Sequence, residues 1–243
     1  RKFIFYSISL FCFFVALLTK EMAVTLPLLV LAIDYLFVSQ GKIRGVLRNI
    51  PRIHLGFFAV LGLYLLMRLF VIGRLFTIGS IRYVANFLPG DSPYWQVFTV
   101  IKILAFYIRL LFFPYGLKVD YFFPAANSLF EPVVLSGIVV LLLLIFTLIK
   151  NIRNAPMLSF SISWFLITIL PVSNIIPVGN IFTERYLYIP SVGFCVALGL
   201  LFVWLHKKDI KTERLNWKSS ITLLFFLLVI ALGRVTYERN KIW

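Results

Sequence analysis

An acidic and a basic residue stand side by side where an apolar run begins. Glu184 and Arg185 are followed by Tyr186 within residues 180–193. An arginine at the start of a helix adds its charge to the positive end of the helix dipole, so this pair suits a bound anion such as phosphate better than a helix cap. The alternative is a Glu–Arg ion pair that holds two membrane helices together.

Two further polar groups lie at the ends of apolar runs. Lys20 and Glu21 form a tight turn between the first two runs. Either Lys20 snorkels to the interface beside a local ion pair, or the two charges line a substrate cavity. Arg68 and Arg74 lie at the end of the third run, and Arg68 either snorkels or grips a phosphate through its planar guanidinium.

Asp120 follows a helix-breaking segment that contains Pro114 and Gly116. It is either a turn cap or a polar group facing a sugar. Asp34 is predicted to be a helix-end residue rather than part of a site. His54 and His206 lie at the ends of apolar runs without acidic neighbours in sequence, and no metal-ligand spacing is visible.

The composition identifies the environment that holds these residues. Of 243 residues, 61% are hydrophobic and 14% are charged, whereas soluble domains are about half apolar and a quarter charged. Long apolar runs recur along the chain, and apolar runs of about twenty residues are typical of transmembrane helices. The chain is therefore predicted to be an all-α polytopic membrane protein. Its apolar segments are 3–18, 22–38, 53–72, 95–113, 133–149, 157–172, 187–205 and 220–233.

The net charge of +15 does not indicate a nucleic-acid-binding protein. More than half of the basic residues lie in four short segments, at 1–2, 42–52, 150–153 and 207–218. This distribution fits the excess of Lys and Arg in cytoplasmic loops better than a phosphate-binding surface.

The four basic segments also predict the topology. If all four are cytoplasmic, both ends of segment 95–113 lie outside, and that segment does not span. It contains Lys102 and Arg109, which are seven residues apart and so on one helical face. We expect about seven transmembrane helices plus one re-entrant or interfacial helix. The alternative is that 95–113 spans and one basic loop breaks the rule.

Four motifs together resemble a known family. They are residues 17–21 (LLTKE), 110–121 (LLFFPYGLKVDY), 183–193 (TERYLYIPSVG) and 237–243 (YERNKIW). In this order they resemble multi-span glycosyltransferases of the GT-C type. The greatest similarity is to the transmembrane and tetratricopeptide-repeat O-mannosyltransferases and their bacterial relatives.

The resemblance implies transfer of a mannose-like sugar from a polyprenyl-phosphate donor, which is a substrate rather than a cofactor, to a protein or glycan acceptor. The reaction is expected on the non-cytoplasmic face. The substrate-binding residues are expected to be Lys20, Glu21, Arg74, Arg109, Asp120, Glu184, Arg185 and Tyr186. Of these, Glu184 and Arg185 would lie near the donor phosphate. The catalytic acid of the family lies in an acidic pair that is expected upstream of Arg1.

The resemblance also divides the chain. Residues 1–236 are expected to form a membrane module that lacks the N-terminal catalytic loop, and 237–243 to begin a linker to C-terminal repeats. The fragment alone is expected to be inactive. Other interpretations are a transporter, flippase or ligase that handles polyprenyl-linked glycans. A bacterial plasma membrane is favoured over the endoplasmic reticulum, because N-glycosylation sequons are missing.

Overall fold

The structure is a computed structural model that describes residues 2–73, 93–118, 121, 124–126, 128–173, 175, 182–207 and 217–241. Arg74 and Asp120 of the predicted site lie outside these residues. Within them all regular secondary structure is helical, which confirms the predicted all-α class. The α-helices are α1 (Lys2–Thr19), α2 (Leu26–Ile33), α3 (Ile43–Asn49), α4 (Leu55–Ile72), α5 (Pro93–Phe112), α6 (Pro132–Asn151), α7 (Pro156–Ile169), α8 (Tyr188–Lys207) and α9 (Trp217–Asn240).

Short segments of tighter or wider helix extend several of these helices. The 3-10 segments Glu21–Thr25 and Glu184–Leu187 lead into α2 and α8, and Leu170–Val172 continues α7. The π-helical segment Asp34–Val38 continues α2, and Ile50–His54 joins α3 to α4. Wide π turns re-aim side chains and are often found at functional sites.

Five helical stretches of the described chain are long and apolar enough to cross a membrane. They are Glu21–Val38, Ile43–Ile72, Pro132–Asn151, Glu184–Lys207 and Ser220–Glu238. Two shorter apolar helices cover Phe3–Thr19 and Pro156–Val172. The chain is therefore a multi-pass membrane protein, as predicted, and the number of spans stays a prediction.

The chain forms two compact units, residues 1–193 and 194–243. In the first unit, a buried cluster of Phe13, Leu17, Phe57 and Tyr64 joins α1 to α4. A second, larger cluster in this unit contains Tyr107 and is described with the site below. In the second unit, the rings of Phe202 on α8 and Phe225 on α9 meet edge to face, with centroids 5.2 Å apart.

Helices α5 and α6 pack so closely that their backbones come nearly into contact at Gly137. A Cβ atom added at Gly137 of α6 would lie 2.7 Å from the carbonyl oxygen of Ile101 on α5. Glycine permits this close packing between membrane helices. The Nζ atom of Lys102 on α5 then lies 2.9 Å from a carboxylate oxygen of Glu131, just before α6. The charge that would be costly in lipid is therefore buried as part of an ion pair.

Lys102 and Arg109 have different surroundings, although their spacing predicts one shared face. Lys102 is buried, whereas Arg109 is exposed. The Arg109 guanidinium lies 6.0 Å from the centre of the Phe106 ring. The difference arises because Lys102 is drawn to the Glu131 carboxylate, while Arg109 is nearly two turns further along, beyond that contact.

Candidate functional site

The candidate site is built around a buried cluster that we call the Tyr107 cluster. Its buried members are Met22, Ile103, Leu104, Tyr107, Phe165, Ile169, Val172, Phe182 and Leu187. Tyr107 is fully buried, and its hydroxyl group donates a hydrogen bond to the Thr183 carbonyl oxygen at 3.2 Å. The ring of Phe182 stacks on Tyr107 with centroids 4.7 Å apart. Buried aromatic contacts of this kind fix the position of the backbone that directly precedes Glu184.

The carboxylate of Glu184 holds the segment that follows α5. It accepts a hydrogen bond from the Lys118 backbone N–H at 2.7 Å and another from the Tyr121 hydroxyl group at 2.5 Å. The Tyr121 ring also meets Phe182 edge to face at 4.9 Å. Hydrogen bonds to an ionised acceptor are stronger than neutral ones. Glu184 is thus a structural tie between two segments that are far apart in sequence.

Arg185 is exposed beside this tie. Its guanidinium lies 5.5 Å from the centre of the Tyr186 ring, and Tyr186 packs partly buried against the Tyr107 cluster. Between Glu184 and Arg185, both of them described residues, the structure shows no ion pair. Glu184 and Arg185 are therefore not paired with each other. Among the described residues no carboxylate pairs with Arg185, so its cation is available for an anion.

The turn at Lys20 and Glu21 adjoins the Tyr107 cluster and contains an ion pair. An Arg68 guanidinium nitrogen lies 2.6 Å from a Glu21 carboxylate oxygen, and Arg68 also donates to the Tyr64 hydroxyl at 2.9 Å. Met22, next to Glu21, is a member of the Tyr107 cluster. Lys20 is exposed. The local ion pair at this turn is thus formed by Glu21 with Arg68, and Lys20 is the exposed cation.

The structure therefore brings part of the predicted set together. Glu184, Arg185 and Tyr186 are adjacent on one 3-10 segment, and Lys20 and Glu21 adjoin the same cluster through Met22. Arg109 lies on the exposed side of α5. Lys118 and Tyr121 also contribute to the site and were not predicted from the sequence. Lys118 contributes through its backbone N–H, so the identity of its side chain gives no indication of that role.

A second polar network was missed from the sequence. Asp34 is buried and accepts hydrogen bonds from the Ser39 hydroxyl at 2.9 Å and the Asn49 amide at 3.0 Å. The His54 ring nitrogen Nε2 lies 2.7 Å from the same carboxylate. Asp34 is a helix-end residue, as predicted, because it follows the last residue of α2. The prediction that His54 lacks acidic company is wrong. The π-helical turn at Ile50–His54 returns His54 to Asp34, although twenty residues separate them.

We expect Asp34→Ala to destabilise the folded protein by about 3 kcal/mol, because His54 and Asn49 would lose a buried acceptor. Thermal unfolding of the protein in detergent measures the change. Asp34→Asn keeps one acceptor oxygen and is expected to lose less. Equal stability of Asp34→Ala and the parent would contradict a structural role for this network.

No metal centre is present in the part of the chain that the structure describes, since no group of three or more His, Cys, Asp or Glu side chains is placed to hold an ion.

The fold and the site define an all-helical, multi-pass membrane protein with a polar site at the ends of its helices. In sequence the chain is similar to protein O-mannosyl-transferases. It is 36% identical to Protein O-mannosyl-transferase Tmtc2 of Drosophila melanogaster over 92 residues, which is 37% of this chain and 9% of the relative. It is 28% identical to Tmtc3 of the same organism over 95 residues, 39% of this chain and 10% of the relative.

A third relative is matched over a longer region. Protein O-mannosyl-transferase F38B6.6 of Caenorhabditis elegans is 26% identical over 157 residues, 63% of this chain and 21% of the relative. The matches thus cover a small part of each relative's length. They confirm the resemblance to the transmembrane and tetratricopeptide-repeat O-mannosyltransferases. No family model matches the chain, and no solved structure matches it. The relatives are animal proteins, and the choice between a bacterial and an endoplasmic-reticulum membrane stays a prediction.

Proposed function

We propose that this chain is the membrane module of a GT-C-type O-mannosyltransferase. In the full-length protein it takes a mannose-like sugar from a polyprenyl-phosphate donor and transfers it to a hydroxyl group of a protein or glycan acceptor. The reaction takes place on the non-cytoplasmic face. The names of the relatives support mannosyl transfer, and the choice of donor and of face rests on the charge pattern and on the resemblance.

One observation carries the proposal. Three segments meet at the Tyr107 cluster: the first turn through Met22, the segment after α5 through Tyr121, and the turn that carries Glu184. Arg185 is left as an exposed cation at the edge of this convergence. A guanidinium at the end of a membrane helix is suited to the phosphate of a lipid whose chain lies in the bilayer.

The chemistry assigns one clear task to these residues. The acceptor oxygen attacks the anomeric carbon, and the bond from that carbon to the phosphate oxygen breaks with the electron pair going to phosphate. Arg185 stabilises the charge that grows on the leaving phosphate, an effect that is large in a site of low dielectric. A general base takes the acceptor's proton, and we place that base in the acidic pair expected before Arg1.

The same proposal places α5 on the outer face as a re-entrant or surface-lying helix. Gln96, near its start, donates to the Ile175 carbonyl oxygen at 2.7 Å. Lys118, shortly after its end, donates to Glu184. Both acceptors lie between α7 and α8, so residues near both ends of α5 form hydrogen bonds with the same connecting segment. This arrangement supports two ends on one side of the membrane.

We expect cysteines introduced at Gly90 and Lys118 to react from the same side of the membrane. The background would carry alanine at Cys12 and Cys195, which are both exposed. A membrane-impermeant maleimide applied to sealed, right-side-out vesicles measures accessibility, with a cysteine at Arg44 as the opposite-side control. Labelling of positions 90 and 118 from opposite sides would contradict the proposed topology.

The function is tested with the full-length protein in vesicles that contain a polyprenyl-phosphate mannose and a hydroxyl-bearing acceptor peptide. The expected result is consumption of the donor in proportion to mannosylated peptide. Movement of the intact donor across the bilayer without consumption would indicate a flippase instead. Transfer of preassembled lipid-linked glycans only would indicate a ligase.

A further inference from the structure

A cleft lies at the end of α6. It has a volume of about 350 Å³ and lies between the turn after α6 and the turn before α3. Its lining comes from the end of the second apolar segment, with Tyr35 and Gly41, and from the end of α6 and the turn after it, with Ile149, Lys150, Ile152, Arg153 and Asn154. None of these residues belongs to the site proposed above.

The cleft carries two cations. Lys150 and Arg153 are exposed, and within the described residues neither forms an ion pair with a carboxylate. Lys150 lies 5.7 Å from the centre of the Phe146 ring, which holds it at the end of the helix. Two cations and the amide of Asn154 around one cleft form a set of donors that suits a phosphate group.

The backbone on the other side of the cleft is packed tightly against these residues. Gly41 has a φ of +73°, and a Cβ atom there would lie 2.9 Å from Ile152 Cγ2 and 3.5 Å from Arg153 Cγ. Glycine is therefore required by conformation and by space. The aliphatic part of Arg153 is positioned by this contact, so the cleft is shaped before a ligand enters.

An exposed apolar stripe runs along α6 to the cleft. Val139, Leu142, Phe146 and Ile149 are 55%, 60%, 61% and 61% exposed. Their spacing of three and four residues puts them on one helical face. Ile149 also lines the cleft, so an apolar surface about 15 Å long, roughly half the thickness of a bilayer's hydrocarbon core, ends at a cluster of cations.

We infer that this cleft binds the headgroup phosphate of an anionic glycerophospholipid whose acyl chains lie along the stripe on α6. The charge and the stripe together select this ligand, because a soluble phosphate compound makes no use of the apolar face. Basic pockets between membrane helices at the cytoplasmic side are suited to acidic lipid headgroups. The lipid site is independent of the proposed transfer reaction.

The test uses full-length protein in detergent, titrated with phosphatidylglycerol or phosphatidylcholine and analysed by native mass spectrometry. The double variant Lys150→Ala/Arg153→Ala is expected to bind phosphatidylglycerol about tenfold more weakly, through loss of charge-assisted hydrogen bonds. The control Arg44→Ala/Arg48→Ala removes the same charge from α3, where both residues are exposed. It is expected to bind like the parent.

Equal weakening in both double variants would overturn the inference, because it would indicate a general charge effect. Equal binding of phosphatidylcholine, or displacement of the lipid by inorganic phosphate at similar concentration, would also overturn it. If the double variant aggregates on size exclusion, Arg153→Lys decides the question. This variant keeps the charge but loses the planar fork, and is expected to bind severalfold more weakly, whereas unchanged binding would overturn the site.

Discussion

Replacing Arg185 by alanine in the full-length protein is expected to lower the rate of sugar transfer about 100-fold. The guanidinium is the exposed cation beside the Glu184 tie, and removing one preformed charge partner of a leaving group typically has an effect of this size. The measurement is mannosylated acceptor formed per unit time from a polyprenyl-phosphate donor. Arg185→Lys keeps the charge without the planar fork and is expected to lie between the two.

The matched control for this experiment is Arg44→Ala, which removes an exposed arginine from α3. It is expected to leave transfer unchanged. Membrane insertion and thermal stability should be equal in Arg185→Ala and the parent, because Arg185 lies outside the buried cluster. Unchanged transfer in Arg185→Ala would rule out its role at the donor phosphate.

Replacing Glu184 by alanine is expected to lower transfer about tenfold by a different route. The Tyr121 hydroxyl would lose the Glu184 acceptor, and the Lys118 N–H would keep only its longer hydrogen bond, to the Tyr121 hydroxyl oxygen at 3.0 Å. The segment after α5 would then be held less firmly beside Arg185. Hydrogen exchange of the Lys118 amide should become faster in the same variant, which a purely electrostatic role of Glu184 would not produce.

Two variants grade the effect of Glu184. Glu184→Gln keeps an acceptor oxygen and is expected to retain more transfer than Glu184→Ala. Tyr121→Phe removes one donor to Glu184 and the longer hydrogen bond of the Lys118 N–H, but leaves the Lys118–Glu184 hydrogen bond, so the loss should be smaller still. If Glu184→Ala left both the amide exchange and the transfer rate unchanged, the tie would have no part in positioning the site.

The helices follow closely from the apolar pattern of the sequence. Segment 133–149 becomes α6 at Pro132–Asn151, and segment 95–113 becomes α5 at Pro93–Phe112. This agreement has a physical reason, since a chain in a bilayer satisfies its backbone hydrogen bonds within each apolar run by forming a helix. Prolines at the first positions of these helices also mark their starts.

The contacts of individual polar residues could not be derived in this way. The Glu184 tie uses a backbone N–H of Lys118, and side-chain identity carries no information about such a donor. The Asp34–His54 contact depends on a π-helical turn that periodicity does not predict. The available signal was an acid within an apolar run and a histidine at the start of the next one, which together indicate a buried partner.

We propose above all that the Glu184–Arg185 turn holds the phosphate of a polyprenyl-linked donor at the outer ends of the helices. Tyr188, one turn further on, is 81% exposed, and Phe3, at the start of α1, is 79% exposed. A photo-crosslinking amino acid placed at each position in turn, in the full-length protein with a radiolabelled polyprenyl-phosphate sugar, tests the claim directly. We expect the lipid to crosslink at position 188 and not at position 3, and to be displaced by unlabelled donor. Equal crosslinking at both positions, or none at position 188, would contradict it.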